Sequence, residues 1–158
     1  MVELASMAED DFPTYLKNSI ELYAGEKTRS GDWSEMESRS LSERTFNSLL
    51  PDGMATKDHY FFSIVDENSG LKVGVIWVGI GDASPAKGAW VWDMLIFEGF
   101  RRRRYAIDAL RKLEQFLQTR GITRISLHVF AHNTAAQHLY EKSGFTVLDM
   151  TLSKSITC

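Results

Sequence analysis

The chain has 158 residues, of which 44% are hydrophobic and 25% are charged, a composition typical of one soluble globular domain. Its formal net charge of −3 argues against a general nucleic-acid binder, and no apolar run approaches the ~20 residues that a membrane span requires. The only cysteine is the last residue, Cys158, and the first residues lack a signal-peptide pattern, so we expect a cytoplasmic protein without disulfides.

The first third of the chain predicts one strand followed by two helices. Alternation over Val2–Met7 favours a strand, and apolar residues at helical spacing predict a helix over Asp10–Lys27. A second helix is predicted from Ser34 to Leu50, because Ser34 and Glu37 have the spacing of a capping box and a Pro-Asp-Gly turn follows. These two helices precede the main sheet and could wall a substrate cleft.

The middle of the chain predicts three consecutive strands. His59–Val65 and Leu71–Ile80 are rich in β-branched and aromatic residues, and they flank a five-residue polar connection of the hairpin type. Ala89–Phe97 follows a short loop and is the third strand. Short connections between neighbouring strands favour an antiparallel arrangement, so these three strands are expected to form a meander.

The turn after the third strand has the features of an anion-binding site. Four consecutive arginines, Arg101 to Arg104, separate that strand from an amphipathic helix that runs to about Arg120. The first N–H groups of a helix have no intrahelical partner, and the helix dipole favours negative charge there. We therefore interpret this turn as a phosphate-binding site. A solvated basic turn and a nucleic-acid patch are the alternatives, and the second lacks interleaved aromatic residues.

The last third predicts a strand, a short helix and a final pair of strands. Ile122–Phe130 is reached by a helical crossover, which predicts that it is parallel to the strand before it. A short helix is predicted over His132–Ser143, and Phe145–Met150 with Thr151–Ile156 would form a last antiparallel pair. The predicted order over residues 1–158 is β-α-α-β-β-β-α-β-α-β-β. This is a single α/β domain with a mixed, mostly antiparallel sheet flanked by helices.

Two motifs in the second half of the chain resemble those of the GNAT superfamily of acetyl-CoA-dependent N-acetyltransferases. The loop motif of that family, [QR]-x-x-G-x-[GA], matches at Arg101 and Ala106 but has Arg104 in place of the first glycine. The second motif, N-x-x-A-x-x-x-Y-x-x-x-G-F, matches in full. Its members are Asn133, Ala136, Tyr140, Gly144 and Phe145. The two motifs together imply a GNAT-like fold over essentially the whole chain.

The resemblance implies that acetyl-CoA binds along the third strand of the meander and the turn after it, without a metal. The strand edge at Met94, Leu95 and Ile96 would hold the pantetheine arm in the manner of an added strand. The other residues implied in coenzyme binding are Arg101, Arg102, Arg103, Arg104, Tyr105, Ala106, Ile107 and Asn133. Glycine at the position of Arg104 would permit a positive φ, so the arginine predicts either a strained loop or a side chain that swings outward.

The resemblance also supplies two candidate catalytic residues. In the family an amine attacks the acetyl thioester directly, and Tyr140 matches the position whose hydroxyl protonates the departing thiolate; a tyrosine at the edge of the core is the alternative. Asp93 lies in an otherwise apolar strand, where a carboxylate is unfavourable without a partner. We interpret it as a base or as an anchor for a substrate ammonium group. A structural aspartate bonded to a neighbouring element explains the same pattern.

The predicted function is therefore N-acetyl transfer from acetyl-CoA to a primary amine. Carboxylates at Asp93, Glu26, Glu35 and Glu37 would line a cleft that attracts cations, which favours small cationic amines, polyamines or peptide amines as acceptors. We expect neither a nucleic acid nor a membrane as a partner, and a homodimer is one of the assemblies the sequence allows. The alternative function is a catalytically weak or inactive coenzyme-binding or regulatory module, and Arg104 is the residue that favours it.

Overall fold

The computed structural model describes residues 1–156, which form a five-stranded sheet and four α-helices. The elements are β1 Val2–Ser6, α1 Phe12–Arg29, α2 Glu35–Leu49, β2 His59–Asp66, β3 Lys72–Ile80, β4 Ala89–Ile96, α3 Tyr105–Gln118, β5 Ile125–Leu127 and α4 Thr134–Lys142. None of the helices in this part of the chain is both long and apolar enough to cross a membrane. The mixed α/β class predicted from the sequence is confirmed.

The strands lie side by side in the order in which they occur in the chain, β1-β2-β3-β4-β5. The first four are antiparallel neighbours. Short connections join β2, β3 and β4, as expected for a meander, whereas α1 and α2 lie between β1 and β2 in the chain. The helix α3 then carries the chain back, so that β5 pairs with β4 in parallel, as predicted. Asp66 closes the β2–β3 hairpin by accepting a hydrogen bond of 2.7 Å from the Ser69 hydroxyl.

Helices cover both faces of the sheet, and alternate residues of β2 and β3 point to opposite faces. Phe62, Ile76 and Val78 face the layer of α3, which contributes Leu113 and Leu117 to this core cluster. The neighbouring residues Phe61, Val75 and Trp77 face the layer of α1 and α2, with Phe12, Tyr15, Ile20 and Phe46. The sheet, α1, α2 and α3 therefore contain both clusters apart from Met7 and Leu50, which directly follow β1 and α2.

The predicted C-terminal strands are the main correction to the fold. β5 is limited to three residues instead of the span Ile122–Phe130, and the predicted pair Phe145–Met150 and Thr151–Ile156 is absent from the described residues. Residues 145–156 contain no glycine, proline or asparagine that would favour a tight turn between the two predicted strands. The segment instead belongs to no helix or strand and has no neighbouring strand among the described residues, and a strand requires a neighbour for its hydrogen bonds.

Candidate functional site

The sheet opens between β4 and β5. The two strands pair only from Ala89 to Val91 on the side of β4 and from Ile125 to Leu127 on the side of β5. β4 then continues to Ile96, still paired with β3 on its other side. Among the described residues, no strand pairs with the second half of β4 on the β5 side. The result is a gap beside the second half of β4, whose backbone edge is unpaired on this side.

The direction of the backbone groups along β4 determines which residues can use this gap. The Phe97 N–H donates to the Val73 carbonyl at 2.9 Å, so Leu95, two residues earlier, also turns its backbone groups to β3. The backbone groups of Met94 and Ile96 therefore point into the gap. The Arg101 Nε–H donates to the Ile96 carbonyl at 3.0 Å and satisfies that acceptor. The usable edge is therefore formed by Met94 and by the N–H of Ile96.

Leu95 differs from the other two residues that the sequence grouped in this edge. Its backbone groups are engaged toward β3, and its half-buried side chain packs against the cluster formed with α1 and α2. The backbone of Leu95 therefore cannot bind a ligand in the gap. The side chain instead fixes β4 against the helical layer.

The turn between β4 and α3 presents a row of backbone donors. Within residues 1–156, the N–H groups of Arg102, Arg103 and Arg104 donate no hydrogen bond, and no side chain caps α3. The first three amides of the helix, from Tyr105 to Ile107, also have no intrahelical acceptor. All four arginine side chains are exposed. Unpaired donors, positive charge and a helix N-terminus thus coincide, as an anion-binding site requires.

Arg104 occupies the conformation that favours glycine. Its φ is 67° and its ψ is 2°, in the left-handed region, and Arg102 also has a positive φ of 63°. The sequence posed a choice between a strained loop and an outward side chain, and the structure shows both: the backbone is left-handed and the side chain is exposed. The loop therefore keeps the backbone path expected of the glycine motif, at a conformational cost.

We expect Arg104→Gly to stabilise the fold. Left-handed backbone costs a residue with a Cβ about 1–2 kcal/mol, while glycine loses about 0.4–1 kcal/mol through the greater freedom of the unfolded chain. The free energy of unfolding should thus rise by up to about 1 kcal/mol, measured by urea denaturation. Arg103→Gly is the matched control, because it removes the same charge at a residue whose φ is not positive. It should destabilise the fold, and equal effects in both variants would contradict the strain at Arg104.

Asp93 lies on β4 beside the gap and is bonded to α1. The Tyr15 hydroxyl donates to its Oδ2 at 2.8 Å. Burial raises the pKa of the Asp93 carboxyl, and the hydrogen bond from Tyr15 acts in the opposite direction. Burial and the nearby Asp93 carboxylate also raise the pKa of Tyr15 well above its usual value. Tyr15 therefore stays protonated and holds the carboxylate in place.

Tyr140 is brought close enough to Asp93 for the two groups to interact electrostatically. Burial raises the pKa of Tyr140 to about 12, and the charge of Asp93 adds to this shift. Its half-buried ring packs edge-on against Phe145, with centroids 5.5 Å apart. The phenol therefore carries its proton throughout the physiological pH range. A carboxylate and a neutral phenol, 47 positions apart in the sequence, are thus within electrostatic range of each other.

Asn133 caps the N-terminus of α4, the helix that carries Tyr140. Its Oδ1 accepts a hydrogen bond of 3.2 Å from the Ala136 N–H, which makes it the N-cap of α4. This contact explains its place in the motif without a ligand. Asn133 therefore positions Tyr140 through the start of the helix.

Glu26 is the acidic residue of the N-terminal helices that reaches the other side of the site. It is hydrogen-bonded to the ring of His132, which follows β5, so α1 and the β5–α4 loop are joined there. Glu35 and Glu37 are exposed in the first turn of α2, and Glu37 accepts a hydrogen bond of 3.1 Å from the Ser34 hydroxyl. The expected cleft lined by three glutamates is therefore reduced to Glu26.

Aromatic and basic groups accompany Glu26 on this side. The rings of Tyr23 and Trp33 lie edge to face with centroids 5.6 Å apart, and the Lys27 Nζ lies 5.3 Å from the Trp33 ring. Burial lowers the pKa of His128, and the charge of Lys27 lowers it further, which keeps that imidazole neutral at pH 7. Among residues 1–156, no three His, Cys, Asp or Glu side chains form a cluster that could hold a metal ion.

Tyr15 and His132 are the site residues that the sequence did not identify. The spacing of Tyr15 matches the apolar stripe of its helix, and its partner lies 78 positions away. His132 directly precedes the second motif but is not a member of it, and its partner Glu26 lies 106 positions away. The only local signal was chemical, because a hydroxyl on an apolar helical stripe requires a partner.

The sequence of this chain matches a protein family and two curated relatives. The model of the acetyltransferase (GNAT) family matches residues 20–145. The uncharacterized N-acetyltransferase YycN of Bacillus subtilis (strain 168) is 35% identical over 98% of this chain and 99% of its own length. The uncharacterized N-acetyltransferase YdgE of the same bacterium is 31% identical over 97% of both chains.

Two solved structures have the same architecture. The crystal structure of the B. subtilis YycN protein superposes with a TM-score of 0.93 at 34% identity and covers 99% of both chains. The PaiA N-acetyltransferase of Thermoplasma acidophilum, crystallised in complex with coenzyme A, superposes with a TM-score of 0.68 at 18% identity, over 96% of this chain and 93% of that one. The second likeness concerns the fold alone.

Proposed function

Because this chain belongs to the GNAT family of acetyltransferases, we propose that it transfers an acetyl group from acetyl-CoA to a primary amine. The observation that carries the proposal is the gap between β4 and β5, which joins the anion-binding turn to the pair formed by Asp93 and Tyr140. An extended acyl donor that lies in the gap would have its phosphates at the turn and its thioester near these two residues.

The residues of the turn and of β4 fit the parts of coenzyme A. The unpaired amides of Arg102, Arg103 and Arg104 and those at the start of α3 would bind the pyrophosphate, and the four guanidinium groups would add charge-assisted contacts. Met94 and the N–H of Ile96 would bind the amides of the pantetheine arm, as in strand addition. Arg101 supports this edge, because its bond to Ile96 fixes the end of β4.

Acetyl-CoA supplies an activated thioester carbonyl, and the chain has to manage two protons around it. The acceptor amine must lose a proton before it attacks, and Asp93 is the proposed group that orients the ammonium and takes or relays that proton. Tyr140 is the proposed donor of a proton to the sulfur as the carbon–sulfur bond breaks. The products are then an N-acetyl amine, free coenzyme A thiol and one released proton.

The preferred acceptor is proposed to be a cationic amine such as a polyamine or a lysine-like side chain. Asp93 and Glu26 place negative charge on two sides of the site, and the rings of Tyr23 and Trp33 can contact a cation through their faces. The Lys27 ammonium group offsets part of that charge. The preference therefore depends chiefly on Asp93.

The test of this function is an assay for free thiol with acetyl-CoA and a panel of amines. We expect thiol release that requires both the protein and an amine, together with a matching mass increase of the amine. Binding of acetyl-CoA without amine-dependent release would favour the alternative, a catalytically inactive coenzyme-binding module.

Acetyl-CoA should stabilise the protein. A ligand at 100 times its dissociation constant adds about 2.7 kcal/mol to the free energy of unfolding, which raises the melting temperature by about 5–10 °C for a domain of this size. Differential scanning fluorimetry measures the shift. The control ligand is S-acetylpantetheine, which lacks the phosphates and should produce a smaller shift. An unchanged melting temperature with millimolar acetyl-CoA would contradict the coenzyme site.

Three further expectations accompany the proposal. We propose that residues 1–158 act as a single domain, that the protein works in the cytoplasm and that its partners are acetyl-CoA and the amine.

A further inference from the structure

The turn at the end of α1 is held beside Lys27 by backbone hydrogen bonds. Gly31 has a φ of 85°, and its N–H donates to the Thr28 carbonyl at 3.1 Å. The N–H groups of Asp32 and Trp33 donate to the Lys27 carbonyl at 3.1 Å and 3.4 Å. This is the Schellman pattern in which a helix ends at a glycine. The positions of Asp32 and Trp33 therefore do not depend on which side chain residue 27 carries.

The side chains around this turn surround the Lys27 ammonium group. Its Nζ lies 5.3 Å from the centroid of the Trp33 ring and 5.9 Å from that of Tyr23. The two rings meet at an angle of 88°, and the Asp32 carboxylate accepts a hydrogen bond of 2.9 Å from the same Nζ. Aromatic faces attract cations, and the carboxylate adds a charge-assisted hydrogen bond. Tyr23, Asp32 and Trp33 together are termed the cation cage.

The cation cage favours a positive charge although it removes most of the surrounding water. The Lys27 side chain is only 22% exposed. Burial lowers the pKa of Lys27, but the hydrogen bond to Asp32 and the interaction with Tyr23 outweigh burial, so the pKa is raised above its usual value. The Asp32 side chain is 57% exposed, so the cage is open to solvent on that side. A cation from solution can therefore reach it.

The cation cage borders the gap beside Asp93. β5 and β4 pair in parallel up to Leu127 and Val91, so the residues that follow these two positions face each other across the gap. Asp93 is two residues past the last pair on β4, and Phe130 is three residues past it on the other chain segment. The centroid of the Phe130 ring lies 6.3 Å from that of Tyr23. The cage therefore adjoins the wall of the gap that lies opposite the proposed reacting group.

We propose that the cation cage is a second ammonium site, which the distal cation of the acceptor occupies by displacing Lys27. The inference rests on the proposed function, in which the reacting amine lies at Asp93. It adds that the preferred acceptor carries two ammonium groups. Lys27 is then a specificity-determining residue, because its own ammonium group fills the cage in the free protein and competes with the acceptor.

The position of the cage along α1 limits the length of such an acceptor. Tyr15, which is bonded to Asp93, and Tyr23 are eight residues apart on the helix, which corresponds to about 12 Å along its axis. A diamine with only a few carbons between its nitrogens cannot reach both groups. A longer diamine can place one amine at Asp93 and the other in the cage.

The experiment measures kcat/KM for diamines from diaminopropane to diaminodecane, each relative to the monoamine with the same carbon chain. This ratio isolates the contribution of the distal ammonium group, and in the wild type it should rise with chain length. For diaminodecane, Lys27→Met should raise the ratio by about 5-fold, because the competing charge is gone. Trp33→Leu should lower the ratio, because it removes one wall of the cage.

The matched control is Arg29→Met, with native circular dichroism required of every variant. It removes the same charge from an exposed residue of α1 outside the cage and should leave the ratio unchanged. Equal effects of Lys27→Met and Arg29→Met would overturn the inference, and so would a ratio that Trp33→Leu does not lower. If Lys27→Met leaves the ratio unchanged but lowers the turnover of aminodecanoate, Lys27 binds an anionic acceptor, which also overturns it.

A binding measurement separates this inference from the proposed function. If the wild type acetylates none of these amines, the proposed function fails. Calorimetric titration with diaminodecane and with decylamine then tests the cage without turnover. The affinity for the diamine, relative to that for the monoamine, should be about 5-fold higher in Lys27→Met than in the wild type and unchanged in Arg29→Met. An unchanged relative affinity in Lys27→Met would overturn the inference.

Discussion

Tyr140→Phe is expected to lower kcat by about 100-fold or more, with little change in the affinity for acetyl-CoA. A positioned general acid typically contributes 10²–10⁴-fold, and it acts on the leaving sulfur in the transition state only. The pKa of about 12 keeps the phenol protonated at lower pH. Ionisation of Tyr140 should therefore not reduce the wild-type rate at any pH below about 12. Single-turnover kinetics and calorimetry measure the two quantities separately.

The control for this prediction is Tyr60→Phe. Tyr60 is half-buried on β2, and its ring packs on Phe116 with centroids 5.5 Å apart, in the part of the sheet away from the gap. The same hydroxyl is lost there, and turnover should stay close to that of the wild type. If Tyr140→Phe also retains full turnover in single-turnover experiments, Tyr140 has a packing role only.

Asp93→Asn is expected to lower kcat/KM for spermidine by about 100-fold and for an aromatic amine that is neutral at pH 7 by about 10-fold. The variant keeps the shape of the side chain and removes the charge that attracts and orients an ammonium group. The measurement is the ratio of the two specificity constants in both proteins. If kcat/KM falls equally for both acceptors, Asp93 acts as a general base or has a structural role. If kcat/KM does not fall for either, Asp93 does not select a cationic acceptor.

The pH dependence of stability separates the charge of Asp93 from a folding defect. Because the pKa of Asp93 is raised in the folded protein, its proton is bound more tightly there than in the unfolded chain. Its contribution to the free energy of unfolding is therefore greatest below the unfolded-state pKa of about 3.9, and it is lost as pH rises through the folded-state pKa. The Asn variant has no such titration. The melting temperature of the Asn variant, relative to that of the wild type at the same pH, should increase as pH rises through this range.

The long periodic elements were predictable from the sequence, whereas the end of the sheet was not. The helix predicted over Asp10–Lys27 is observed at Phe12–Arg29, and the strand predicted over Leu71–Ile80 is observed at Lys72–Ile80. Each of these carries its own repeat of apolar residues. The strands predicted over Phe145–Met150 and Thr151–Ile156 are absent, because a strand depends on pairing with a distant neighbour, which a local pattern cannot specify.

The candidate site was predictable where motifs carry it and not where tertiary contacts build it. Asp93, Tyr140 and the arginine turn follow from short stretches of sequence. The hydrogen bond between Tyr15 and Asp93 joins α1 to β4, and the pair of Glu26 and His132 joins α1 to the loop after β5. Neither contact has a local signature, because each depends on how a helix lies across the sheet.

The absence of buried side chains on α4 has a consequence for when the proposed site exists. Asp93 is anchored to a part of the chain whose local opening costs much of the global free energy of unfolding, whereas Tyr140 is on a helix that can open at far lower cost. Asp93 and Tyr140 are therefore close to each other only while α4 stays folded against the rest of the domain. A coenzyme that lies between β4 and β5 touches both parts, so its binding energy would be spent partly on assembling the catalytic pair.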